Sequence, residues 1–239
     1  MAKSDVNQRD MNLITLPDEK QRHLSFYLAM EEYVARHIPG SDLFFLWQVR
    51  PSVIYGRNQQ LENEVNCDYC REHDIEIFHR KSGGGCVYAD EQNLMLSFVG
   101  SDETVDLSFN KFVGMIVLVL RRLGIEAVAT VHNDVLIDGH KVSGTACYRL
   151  PGRNIVHATL LYDTCMPHML NAITPPAEKL QKKGIQSVRQ RITLLKDYTT
   201  LSLPELKSFI VNTLCTGESV KLSPTDVKAI ERLEQDYLS

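Results

Sequence analysis

The sequence predicts an α+β protein, with a mixed or antiparallel β-sheet flanked by helices. Three observations carry this. Short apolar segments rich in β-branched and aromatic residues come in hairpin-like groups, with helices between groups rather than after every strand. Asp138-Gly139 sits between two alternating apolar runs, the strongest short-range hairpin signal there is. A strict strand–helix–strand alternation, which a doubly wound parallel sheet needs, is missing.

The elements follow in order. Arg22 to Ile38 carries apolar residues at helical spacing, and Pro39-Gly40 stops it. DLFFLWQV (42–49) and SVIYG (52–56) read as two strands joined by a short turn around Pro51. A polar helix runs from about Leu61 to His73, followed by the strand IEIFH. After three glycines, CVYAD and LMLSFV read as a hairpin. SFNKFVGMIVLVLRRLG is a strongly apolar helix ended by Gly124. EAVAT, NDVLI, HKVSGTACYR and NIVHATLLY are strands. From about Pro175 the chain reads as mostly helical with polar linkers, and its last two helices have Ser or Thr near their starts. No repeat or low-complexity segment interrupts this order.

Composition narrows the function. The 239 residues are 44% hydrophobic and 23% charged, enough for one large core or a core with a small appendage. A net charge of −4 argues against a nucleic-acid partner. No apolar run reaches the roughly 18 residues of a membrane span, and MAKSDVNQRD lacks a signal-peptide core. Six cysteines do not make a disulfide scaffold, so the expected compartment is reducing and cytoplasmic. Cys67 and Cys70 form a lone CxxC without the second pair of a structural zinc site, and read as two thiols on an ordinary helix.

Two stretches bear on chemistry. FHRKSGGGCVYAD matches neither GxxxxGK[ST] nor GxGxxG, and β-formers follow its glycines. Gly83, Gly84 and Gly85 would let backbone N–H groups approach a ligand, with Arg80 and Lys81 adding positive charge and Ser82 a hydroxyl. A cradle for an anion and a plain hairpin bend both fit. In HNDVLIDGHKVSGTA, a two-residue turn sets Ile137 opposite His140, Leu136 opposite Lys141 and Asp134 opposite Ser143. Asp134, Leu136, Lys141, Ser143 and Thr145 would then share a face, either solvated or a polar site. His157 falls in an apolar strand, as a satisfied core histidine would.

Taken together, six ordered blocks between about Phe26 and Leu195 resemble the lipoate–protein ligase A family of the biotin/lipoyl ligase superfamily. They are FYLAMEEYV, SVIYGRNQQLENEVN, RKSGGGCVYAD, HNDVLIDGHKVSGTA, VHATLL and KKGIQSVRQRITLL. The resemblance implies ATP-dependent activation of lipoate to lipoyl-AMP, with Mg²⁺ offsetting phosphate charge. Transfer would follow to a lysine of a lipoyl domain of a 2-oxoacid dehydrogenase E2 subunit, or of the glycine-cleavage H protein. Arg80, Ser82, Gly83, Gly84, Gly85, Cys86, Val87 and Tyr88 would line lipoate and nucleotide. Lys141 would be the central catalytic lysine, Asn133 and Asp134 would lie at the phosphate end, with Asp134 a candidate Mg²⁺ ligand, and His157 would lie near the acyl group. The loop from Gly184 to Arg191 would close over the adenylate.

Two features depart from the family pattern. Cys86 stands where a small apolar residue is usual, and Cys147 follows the lysine, so an acyl-thioester route is a second reading. The chain is also short, which implies a form without the C-terminal accessory domain: a catalytic domain over 1–195 and a short helical extension over 196–239 packed on it. A lipoyl or octanoyl transferase that takes a preactivated donor, or works with a separate accessory subunit, is the alternative.

Overall fold

The computed structural model describes residues 10–40, 42–101, 104–173 and 191–238. Among these, the strands form two mixed sheets, as the α+β reading expects. The larger contains β1 (Met11–Thr15), β2 (Asp42–Trp47), β6 (Asn93–Gly100), β7 (Ala127–Ala129), β8 (Val135–Ile137), β9 (His140–Leu150), β10 (Arg153–Leu161) and β11 (Ser219–Lys221). Its order is β11-β1-β2-β6-β10-β9-β8-β7. β11–β1 and β1–β2 are parallel, and the other pairs are antiparallel. The smaller sheet sets β3 (Ser52–Tyr55) between β4 (Glu76–His79) and β5 (Val87–Ala89).

Strand alternation sends side chains to two cores. Phe44, Phe98 and Val156 face one side of the large sheet, where α4 (Val105–Arg122) and α6 (Leu203–Leu214) cover them with Phe112, Ile116 and Ile210. Phe45, Val99 and Ile155 face the other side, under α1 (Leu24–His37) and α7 (Pro224–Leu238). A third cluster joins the small sheet to α3 (Cys67–Glu72) and α5 (Met166–Ala172). Thr104 caps α4 by accepting from the Leu107 N–H, and Gly124, at φ +79°, follows its last turn.

Several sequence pairings need correction. β2 and β3 do not pair, because the chain leaves the large sheet at Val49–Pro51 and enters the small one. CVYAD and LMLSFV likewise lie in different sheets. Buried Asp90 makes that corner: its carboxylate accepts from the Gln92 N–H, the Cys165 N–H and the Thr164 hydroxyl. The polar helix is two pieces, α2 (Leu61–Glu64) and α3, because Asn66 begins the second by accepting from the Tyr69 N–H. Between the last two helices lies a strand the sequence reading did not draw, β11. Three residues are too few for a periodic signal.

The Asp138-Gly139 turn forms as expected, both residues at positive φ (+49° and +77°), which is a type I′ hairpin turn. Ile137 faces His140 and Leu136 faces Lys141. The next pair differs: a bulge leaves Val142 unmatched and sets Val135, not Asp134, opposite Ser143.

Candidate active site

That bulge decides which residues meet Lys141. Beyond it the alternation of β9 is inverted, so Gly144 and Ala146 take the lysine's side. Cys147 instead packs against the α4-side core. Register then builds a site face from four strands. Trp47 pairs with Met95, Met95 with Thr159, and Thr159 with Gly144. One row away Ser97 pairs with His157, and His157 with Ala146. A cavity of about 100 Å³ opens on this face, with Leu28, Trp47, Ile54, Val87 and Met95 supplying its apolar wall.

Lys141 lines this cavity. Its Nζ is 2.8 Å from Asp134 Oδ1, with the two side chains 40% and 29% exposed. Asn133, at φ +62°, forms the turn that delivers Asp134, and its carbonyl accepts from the Thr145 hydroxyl at 2.7 Å. Asn tolerates this left-handed conformation better than most residues. A Cβ at Gly144 would lie 2.6 Å from Lys141 Nζ, so the missing side chain is the space the ammonium occupies. The backbone beside the lysine is also paired: Thr193 N–H donates to the Lys141 carbonyl.

The glycine loop lies above Ala146, to which a Cβ on Gly84 would come within 3.6 Å. Gly84 itself needs φ +94°. Arg80 is buried beneath the loop and donates to the carbonyls of Ile54, Gly83 and Gly85 at 2.6 to 3.2 Å. Burial lowers this guanidinium to about 10, so it remains charged at neutral pH. The GRNQ turn buttresses the loop, with Arg57 N–H donating to the Ser82 carbonyl. Gly56 is required there, since a Cβ would sit 2.4 Å from the Gly84 oxygen.

Other candidates fall into place differently. Cys86, Val87 and His157 line the cavity with Arg80, Gly85 and Lys141. Tyr88 points the opposite way, into the core beneath the small sheet. Lys81 does not bring its charge to the glycines; it pairs with Glu32 at 2.8 Å. A larger groove of about 840 Å³ adjoins the far side of Arg80, but it lacks Lys141, so the candidate site is the smaller cavity. Gly184 to Gln190 of the expected closing loop lie outside the described residues.

Sequence reasoning missed Glu31, Ser97 and Trp47. Trp47 Nε1 donates to Ser97 Oγ, which donates to Glu31 at 2.6 Å. The Glu31 carboxylate lies 3.0 Å from His157 Nδ1, whose Nε2 lies 2.8 Å from Ser82 Oγ. One signal was available: Glu31 stands on the apolar stripe of α1, three and four residues from Leu28 and Tyr27, where an unpaired carboxylate would be costly.

Neither Cys86 nor Cys147 is prepared as a nucleophile. Burial raises Cys86 to about 12, aided by the Glu64 charge and against the opposing pull of Arg80. Burial, with the Glu31 charge, likewise raises Cys147 to about 12. Cys67 and Cys70 sit on α3 as ordinary helix thiols. Among the described residues no three His, Cys, Asp or Glu side chains cluster as metal ligands. Asp134 is engaged by Lys141, so these residues do not by themselves fit a magnesium site.

Residues 23–215 match the model of the lipoyl protein ligase A/B catalytic domain. The chain belongs to that family. The resemblance carried by the six sequence blocks is therefore borne out. Among its relatives is lipoate–protein ligase 1 of Staphylococcus aureus, 37% identical over 87% of this chain and 66% of the relative. A lipoate–protein ligase of Bacillus subtilis is 32% identical, with the same coverage. The chain thus spans 66% of the length of these curated relatives. A solved Thermoplasma acidophilum structure, from work on a bipartite lipoate protein ligase and its E2 lipoyl domain, superposes with a TM-score of 0.81 at 26% identity. It covers 95% of this chain and 92% of that one.

Proposed function

We propose that this chain is a lipoate–protein ligase domain that forms lipoyl-AMP from lipoate and ATP. It then passes the lipoyl group to a lysine ε-amine on a lipoyl domain or an H protein. The observation that carries this reading is Lys141. It stands 2.8 Å from Asp134 and lines a cavity with an apolar wall, together with Arg80 and Gly85 of the glycine loop. An apolar wall suits an acyl chain, and an ammonium in the same cavity suits a carboxylate.

In the first step a lipoate carboxylate oxygen attacks the α-phosphorus of ATP, and the bond to pyrophosphate breaks. In the second the acceptor amine attacks the acyl carbon, AMP leaves, and the amine proton passes to solvent. Lys141 would follow the negative charge from carboxylate to acyl phosphate, with Asp134 holding the ammonium in place. Arg80 would act from beneath, turning loop carbonyls inward so that the outer edge offers N–H groups to the adenylate. Mg²⁺ would travel with ATP as part of the substrate, held by the phosphates. Among the described residues no helix is long and apolar enough to cross a membrane, and all six cysteines are free, in keeping with a reducing cytoplasm.

A second reading is favoured by one observation, the superposition on the structure from work on a bipartite Thermoplasma acidophilum ligase over 92% of that chain. On it, this domain transfers a preformed acyl-adenylate or activates lipoate only with an accessory subunit. Lipoate-dependent exchange of labelled pyrophosphate into ATP separates the two. Exchange by the chain alone is expected. No exchange, with transfer from synthetic lipoyl-AMP, would favour the second reading, and failure of both would overturn the assignment.

A further inference from the structure

We propose that Glu31 and Glu32, consecutive on α1, are positioning residues that clamp the glycine loop through two consecutive loop residues, Ser82 and Lys81. A run of three glycines is entropically expensive to order, and something outside the loop must hold it. Arg80 fixes its carbonyls from within. The two glutamates hold its leading edge from without.

The first arm is buried and directional. Trp47 occupies one lone pair of Ser97, whose single proton goes to Glu31. Glu31, 0% exposed, takes that proton, and its carboxylate also meets His157 Nδ1, whose Nε2 meets the Ser82 hydroxyl. This is the connectivity of a Ser–His–acid triad, yet Ser82 is 1% exposed and is not among the cavity-lining residues. A buried hydroxyl outside the cavity lining is no nucleophile there. Its role is to anchor the loop to His157, which does line the cavity.

The second arm carries charge. Glu32 accepts from Lys81 Nζ at 2.8 Å and from the Tyr237 hydroxyl at 2.7 Å through one oxygen, and from Arg36 through the other. Lys81 Nζ also lies 4.0 Å from the Tyr237 ring centre. The last turn of α7 therefore reaches the loop through α1. Adjacent helix residues point in diverging directions, so one turn of α1 reaches both Ser82 and Lys81 without competition.

Amide hydrogen exchange on the full chain tests the clamp without reference to activity. In Glu31→Gln and Ser82→Ala, peptides spanning 80–88 should exchange about tenfold faster, the loss of roughly one buried hydrogen bond. Peptides of α4 should keep their protection. The double variant should exchange no faster than the stronger single one, because both break one arm. Tyr237→Phe, a mild change, should loosen the same peptides through the second arm by a smaller factor. The catalytic consequence rests on the ligase reading: kcat for pyrophosphate exchange should fall by about tenfold or more while KM for lipoate moves little, as for a group needed in the transition state. Unchanged loop exchange in folded Ser82→Ala and Tyr237→Phe would overturn the clamp, as would equal loosening of α4. A wild-type chain with a protected loop but no pyrophosphate exchange would sink the ligase reading alone.

Discussion

A methyl group at position 144 would land 2.6 Å from Lys141 Nζ, and so this glycine and the lysine form one functional unit. Lys141→Ala should abolish most adenylate formation, a loss on the order of 10²- to 10³-fold by comparison with other preorganised electrostatic groups. Its melting temperature should barely change, because the side chain is 40% exposed. Gly144→Ala should displace the ammonium and lose activity on a similar scale while remaining folded, which pyrophosphate exchange and circular dichroism check together. Lys141→Arg should not restore the rate, since a planar fork does not replace a compact ammonium. At the same scale Cys86 should alkylate slowly with iodoacetamide at pH 8, its thiol being held up near 12 by burial. Fast alkylation there would revive the thioester route.

The loop, the hairpin and α1 make the site only in combination. Gly56→Ala forces a Cβ against the Gly84 carbonyl and should cost about 1–3 kcal/mol, read as a lower thermal midpoint. The Glu32 arm sets a pH dependence. Burial would raise this carboxyl, but hydrogen bonds from Lys81, Tyr237 and Arg36 overcome it and hold the group at about 2 against an ordinary 4.5. A depressed carboxyl contributes stability that is present above 4.5 and lost as pH falls toward 2. Acid titration of the melting temperature should therefore show a loss in that window that is smaller in Glu32→Gln. Much of this scale was legible in sequence. Asp138-Gly139 named its turn, α1 and α4 announced themselves by periodicity, and the glycine block was visible at once. The bulge at Val142 was not, because period-two counting carries no sign of an extra residue, and it alone moved Ser143 off the lysine's side. The separation of β2 from β3 was equally hidden, since both are short apolar strands and only sheet assembly parts them.

Across the whole molecule, the site depends on both ends of the described chain. β11 pairs with β1 at the edge of the large sheet, and α7 lies on α1 with Ser25 donating to Glu234 at 2.6 Å and Tyr33 to Asp226 at 2.6 Å. We propose that residues 196–239 pack as part of the same unit as the catalytic domain, which predicts a single cooperative unfolding transition for both. Tyr237→Phe should lower its midpoint by about 2–4 °C, the size of one hydrogen bond in a chain of this length. Two separate transitions would contradict this. Activation and transfer of lipoate, with Lys141 holding the reacting carboxylate, are tested by the intact mass of an apo lipoyl domain after incubation with the chain, lipoate, ATP and Mg²⁺. A gain of one lipoyl group is expected with the wild type and none with Lys141→Ala. An unmodified acceptor with the wild type, or an equal gain with Lys141→Ala, would contradict it.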